Sequence, residues 1–141
     1  MSYLLDTNVV SEWVKPRPNP GLVGFIQSVD EDEVFISVVT VIELRHGIER
    51  MASGARRAAL ESWLVEDLPL RFDGRMLTVD VAIADRCGRV LAQGRQRGRP
   101  LGPMDALMAA TAQVHALTLV SRNVADFTAT GLSVLNPWTP Q

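Results

Sequence analysis

The chain has 141 residues, 47% of them hydrophobic, and a formal net charge of −2 at pH 7. That length suits one domain with one core, and the charge argues against a broad nucleic-acid platform. A single cysteine, Cys87, excludes an internal disulfide and a cysteine-based metal site. No apolar stretch approaches the length of about 18 residues needed to span a bilayer, and no basic region followed by an apolar run marks a signal peptide. A reducing, cytoplasmic setting is therefore expected.

Tyr3-Leu4-Leu5 reads as a short buried strand that runs into Asp6-Thr7-Asn8. Asp6 then lies at the strand's carboxyl end, where open α/β sheets present their ligands, and Thr7 or Asn8 is the expected cap of the helix that follows. This helix, Val9 to Val14 with Trp13 as its aromatic anchor, stops at the prolines of Lys15–Pro20. A second helix is expected from about Pro20 to Val29. Asp30–Glu33 is an acidic turn without the ligand spacing or glycine of a calcium loop.

Val34-Phe35-Ile36 is the second predicted strand. Ser37 or Thr40 caps a helix in which Val41, Ile42, Leu44, Ile48 and Met51 recur at a spacing close to 3.6, with Glu43 in its first turn. A further helix is predicted over Arg56–Glu66. Leu68–Phe72 follows as a short strand that Pro69 places at a sheet edge. Thr78 is the expected cap of a long helix carrying Val79, Ile83, Cys87, Val90 and Leu91, with Asp80 in its first turn and Cys87 in the core. Pro103 suits the first position of an alanine-rich helix from Met104 to His115, with Asp105 in its first turn. Leu117–Val120 and the segment around Val134 are the last two strands, separated by Ser121-Arg122-Asn123 and Asp126-Phe127. Strands alternating with helices imply a mostly parallel sheet covered on both faces.

In such a sheet the strand ends and the starts of the following helices share one rim, so Asp6, Glu43, Asp105 and Asp126 can meet there. A cluster of that kind repels itself unless a cation or proton neutralises it. Magnesium, or manganese in its place, fits carboxylate and water oxygens, whereas zinc lacks a histidine or cysteine set. The expected chemistry is metal-assisted phosphodiester hydrolysis. Asp6 and Asp105 are the expected direct ligands, and Glu43 binds a second ion or orients the attacking water. Asp126 completes the cage through a water, and Thr7, Asn8, Ser37 and Asn123 hold the carboxylates or waters in place. Of the 14 basic residues, 11 lie between Arg45 and Arg99, a set suited to phosphate contacts or to a solvated helical face. Each acid also has an ordinary structural role open to it, and the acids alone do not separate this site from a receiver-like or phosphatase-like domain.

The ordered set Leu4-Leu5-Asp6-Thr7-Asn8, Val41-Ile42-Glu43-Leu44-Arg45-His46-Gly47, Pro103-Met104-Asp105-Ala106-Leu107-Met108-Ala109-Ala110 and Leu119-Val120-Ser121-Arg122-Asn123 with Asp126-Phe127, followed by Leu135-Asn136-Pro137-Trp138, resembles the PIN-domain ribonucleases. The likeness is to the toxins of bacterial VapBC-type toxin–antitoxin modules and the related FitB-type proteins. It runs from Tyr3 to Pro137. The resemblance implies a five-stranded parallel sheet in the order 3-2-1-4-5 and carries three acids onto Asp6, Glu43 and Asp105, with the fourth position falling on Asn123 or Asp126. It also implies magnesium or manganese, RNA as substrate, a homodimer with the apolar residues near Trp13 and Trp63 as candidate surfaces, and a small antitoxin partner. That antitoxin inserts a segment into the acidic site and supplies DNA binding, so this chain meets DNA only indirectly. The alternatives are a complex-forming regulatory protein of the same fold with little intrinsic nuclease activity, and a PIN nuclease without an antitoxin.

Overall fold

The structure, a computed structural model, describes residues 1–139. Five strands, Tyr3–Leu5 (β1), Val34–Ser37 (β2), Met76–Leu77 (β3), Thr118–Val120 (β4) and Val134–Leu135 (β5), pair in the order β3-β2-β1-β4-β5. Every pairing is parallel, so each connection must cross over, and the crossovers are helical. The all-parallel sheet and its strand order match the expectation from the resemblance.

β1 is the middle strand, and its alternation splits the core in two. Leu4 joins Val39, Ile83, Met108, Leu119 and Phe127 on one face. Leu5 joins Val9, Val10, Leu22, Ile36 and Phe72 on the other. The first face is covered by Val81–Gln96 (α6) and Pro103–Val114 (α7). Ala106, Ala109, Ala110 and Ala112 of α7 are fully buried, and such short side chains let the helix lie close to its neighbours. Cys87 is buried in this layer as a small apolar residue, as expected.

The helix starts set the positions of the polar residues. Asp6 itself caps Thr7–Trp13 (α1), accepting from the Thr7 N–H at 2.8 Å. The sequence suggested Thr7 or Asn8 for that role; they are instead the first helical residues, with side chains free for other contacts. Asn19 caps Pro20–Ser28 (α2), and the acidic turn forms one turn of 3₁₀ helix over Glu31–Glu33. Ser37 caps Val38–Glu49 (α3) through its hydroxyl, which accepts from the Val39 N–H at 3.0 Å. This start at Val38 puts Glu43 in the second turn, not the first, so the helix dipole contributes little to it. Asp80, not Thr78, caps α6 and accepts from the Ile83 N–H at 2.9 Å. Asp105 lies in the first turn of α7, behind Pro103, as the sequence suggested.

The largest departure concerns Leu68–Phe72, which is helical and not an edge strand. Ala55–Ser62 (α4) passes through a π turn, Trp63–Asp67, into Leu68–Arg71 (α5). Within an α-helix the Pro69 ring would meet the carbonyl four residues back. The wider π turn immediately before it removes that conflict, and the chain continues without a break. The edge strand is Met76–Leu77, reached through a turn in which Gly74 takes the left-handed φ of 75°.

Candidate active site

Asp6 leaves β1 and Ser121 leaves β4. The β1–β4 register pairs Leu5 with Val120, so the next residue on each strand emerges side by side. Both are buried, Ser121 completely and Asp6 with 6% of its surface exposed. The Ser121 hydroxyl donates to Asp6 Oδ2 at 2.7 Å and accepts from the Asn123 N–H at 2.9 Å. The Asn8 amide reaches the same pair, donating to Asp6 Oδ2 at 3.3 Å and to Ser121 Oγ at 3.4 Å. The Asp6 carboxylate is therefore fixed on both oxygens before any ligand arrives. On the other side of α1, the Thr7 hydroxyl donates to Glu43 Oε1 at 2.6 Å and lies 3.1 Å from the buried Thr40 hydroxyl. That link ties Glu43, from α3, to the start of α1.

Asp105 faces the same space from α7. One open cleft of about 420 Å³ is lined by Asp6, Glu43 and Asp105, together with Thr7, Asn8 and Asn123. Its rim adds Glu12, Lys15, Arg122 and Trp138. Burial pushes the Asp6 carboxyl above its ordinary value, against the hydrogen bonds from Ser121 and the Thr7 N–H, and the nearby Glu43 pushes it further. Burial likewise raises Asp105, and the charges of Asp6 and Asp126 add to it. Glu12 behaves oppositely. Its hydrogen bond from Lys15 holds it below the usual carboxylate range, and the Asn19 N–H adds to the effect.

Two expected site residues stand apart from the cleft. Asp126, in the first turn of Val124–Thr128 (α8), borders a separate small depression beside Arg97 and Arg99. It acts on Asp105 through its charge and does not line the cleft. Ser37 is fully buried, and its hydroxyl serves the start of α3. Several residues that hold or line the cleft, Arg122 among them, were given no role by the sequence. Ser121 had a signal, since it ends β4 as Asp6 ends β1. Glu12 and Lys15 had none beyond their place on the first helix and just after it. Trp138 closes the last motif of the resemblance, but its place on the cleft depends on the docking of the tail at Asn19, which no local pattern reveals.

Among the described residues, no group of three aspartate, glutamate, histidine or cysteine side chains is placed to hold a metal ion by itself. A magnesium ion in this cleft would rest on one or two carboxylates, with waters and substrate oxygens completing its shell. The cleft does not suit zinc, which needs nitrogen or sulfur ligands that it lacks. Burial disfavours the charged form of both Asp6 and Asp105, and either a proton or a cation relieves that cost.

The PIN domain family matches residues 3–131. The chain belongs to the PIN-domain family. Toxin FitB of Neisseria gonorrhoeae is 34% identical to this PIN-domain chain over 135 residues, covering 96% of the chain and 97% of FitB. A VapC ribonuclease of Sinorhizobium fredii is 33% identical over 137 residues, covering 97% of the chain and 98% of that protein. The solved structure of FitAB bound to a DNA fragment superposes with a TM-score of 0.89 at 31% identity, covering 99% of the chain and 97% of its counterpart. No helix among the described residues is long and apolar enough to cross a membrane.

Proposed function

We propose that this PIN-domain chain is a magnesium-dependent endoribonuclease, the toxin of a toxin–antitoxin pair acting in the cytoplasm. The observation that carries the reading is the pair Asp6 and Asp105, both displaced upward, facing one cleft whose rim carries Lys15 and Arg122. The names of the FitB and VapC relatives support it. Asp6 and Asp105 would hold the ion, with Glu43 alongside and manganese as a substitute. When bound, the ion supplies charge neutralisation at the scissile phosphate and acidifies water.

The chain's own residues do the rest. Ser121 and the Thr7 N–H fix both Asp6 oxygens, so no reorganisation is needed when substrate enters. Thr7 holds one oxygen of Glu43 and leaves the other to accept a proton from the attacking water. The water oxygen bonds to phosphorus, the bond to one flanking ribose oxygen breaks, and that oxygen takes a proton from solvent water in the open cleft. Lys15 and Arg122 meet the phosphate oxygens at the rim. Asn123 closes the cleft wall, and Asp126 adds negative field behind Asp105.

The partner in this reading is a small antitoxin that covers the cleft and carries the DNA contact, and the chain itself forms a homodimer. The likeness to FitAB bound to a DNA fragment supports an assembly of that kind. One observation favours the second reading, a complex-forming regulatory protein with little intrinsic nuclease activity: Asp126 lies off the cleft, and a neutral residue, Asn123, lines it instead. Induced expression in a bacterial host separates the two. The nuclease reading expects growth arrest that Asp6→Asn or Asp105→Asn relieves at equal protein level. Growth that is unaffected by the parent chain, or arrest that both substitutions leave intact, would favour the regulatory protein.

A further inference from the structure

The rim of the cleft holds a feature that hydrolysis itself does not require. Trp138 lies beyond the last strand, in a tail with no regular structure, yet it lines the same cleft as Asp6 and Asp105. Its place is built. Asn19, with 4% of its surface exposed, donates through its amide to the Thr139 carbonyl at 3.1 Å and accepts from the Thr139 N–H at 2.9 Å. The Asn19 N–H is in turn held by Glu12 at 3.0 Å. The Trp138 N–H donates to Asn136 Oδ1 at 3.0 Å, which sets the turn that presents the ring. The indole is half-buried against the Leu5 and Val9 side of the core, so part of it is seated and part faces the cleft.

The Arg122 guanidinium stands 5.6 Å from the centroid of the Trp138 ring. Arg122 is exposed, and among the described residues it makes no ion pair. Lys15, on the same rim, is held by Glu12 at 2.8 Å. An aromatic face beside two cations, above a floor of carboxylates, matches what a single nucleotide offers: a flat base and an anionic phosphate. Arginines also lie over Trp13 and Phe72, but those two, Arg71 and Arg75, pair with Glu31, whereas Arg122 makes no ion pair among the described residues and shares the cleft with Trp138.

We propose that Trp138 and Arg122, with Lys15, form a subsite for one nucleotide of single-stranded RNA adjoining the scissile phosphate. The indole stacks on the base, and the two cations hold phosphate oxygens. The subsite rests on the ribonuclease reading for its substrate class, and it is tested without cleavage. The chain has three tryptophans, Trp13, Trp63 and Trp138. Labelled as 5-fluorotryptophan, they give separate fluorine NMR signals, with that of Trp138 assigned by its loss in Trp138→Phe. The probe is a single-stranded RNA of roughly six nucleotides, within the span of known single-strand sites, added in chelator and again in calcium.

The Trp138 signal is expected to shift on RNA addition while those of Trp13 and Trp63 stay in place. A strand made abasic at the stacked position should bind without that shift. In anisotropy titrations, Trp138→Ala should weaken RNA binding roughly 5- to 150-fold, whereas Trp138→Phe keeps most of it. Arg122→Ala, which leaves the Asn19–Thr139 bonds of the tail in place, should reduce the slope of log K against log salt by about 0.7. An unmoved Trp138 signal, or a folded Trp138→Ala variant that binds RNA like the parent, overturns the subsite and leaves the rim to a protein partner. Asp6-dependent RNA cleavage alongside an unmoved Trp138 signal removes the subsite and keeps the nuclease. A shifted Trp138 signal from a chain that never cleaves keeps the nucleotide-binding role of Trp138 and Arg122 and removes the nuclease.

Discussion

Replacing Ser121 with alanine removes one oxygen from the centre of the site and tests how Asp6 is held. The buried hydroxyl donates to Asp6 Oδ2 at 2.7 Å and receives the Asn123 N–H at 2.9 Å. A hydrogen bond to a charged, buried carboxylate contributes about 1.5–3 kcal/mol, so Ser121→Ala should lose about 2 kcal/mol at neutral pH. For a chain of this size that is a fall of roughly 6 °C in melting temperature. The pH dependence gives a sharper check. The bond favours the ionised form of Asp6, so its contribution is present when Asp6 is ionised and is lost as the pH falls through the folded-state pKa. That pKa already lies above the ordinary 3.8 because of burial. The deficit of the variant should therefore shrink on acidification, and the acid limb of its kcat/KM profile should move to higher pH. Urea unfolding between acid and neutral pH, with a pH–rate profile, measures both. A variant as stable as the parent at neutral pH, or one whose deficit is constant with pH, refutes the reasoning.

Other outcomes follow from the same geometry. Asp105 is raised by burial and by its acidic neighbours, so the stability it contributes is full below the ordinary value of 3.8 and is lost as the pH rises through the raised one. Asp105→Asn should accordingly be at least as heat-stable as the parent in chelator, and calorimetry should show magnesium at ten times its Kd adding about 1.4 kcal/mol to the parent and far less to the variant. Thr7→Val removes the 2.6 Å bond that holds Glu43, and steady-state kinetics should show kcat reduced about tenfold with KM little changed. Gly21→Ala would place a Cβ 2.6 Å from the Thr139 backbone nitrogen and closer still to the Pro137 carbonyl. The tail must then lift, and the Trp138 fluorine signal should move to its solvent-exposed position while the core melts nearly as before.

Much of the fold was legible because the strongest signals were local. Leu4-Leu5 followed by Asp6, Ser37 before Val38 and Pro103 before Asp105 each mark a strand end or helix start, and the structure places all three where that chemistry puts them. The region after Ser62 was not legible, because a π turn and Pro69 together mimic a broken element, and because β3 is only two residues long. The site divides along the same line. Asp6, Glu43 and Asp105 share a cleft because strand ends and helix starts share a rim. Asp126 is displaced from that cleft because α8 directs its first turn toward Arg97 and Arg99. Trp138 depends on Asn19 binding a segment 120 positions away in sequence, a pairing that no local pattern carries.

The most direct test of the central claim is cleavage of total cellular RNA by the purified, antitoxin-free chain, with magnesium, with manganese and with chelator, beside Asp6→Asn and Asp105→Asn. The acidic cleft acting as a nuclease site predicts discrete fragments that appear with either metal, vanish in chelator and are absent with both variants. Fragments that persist in chelator, or that both variants still produce, would contradict it.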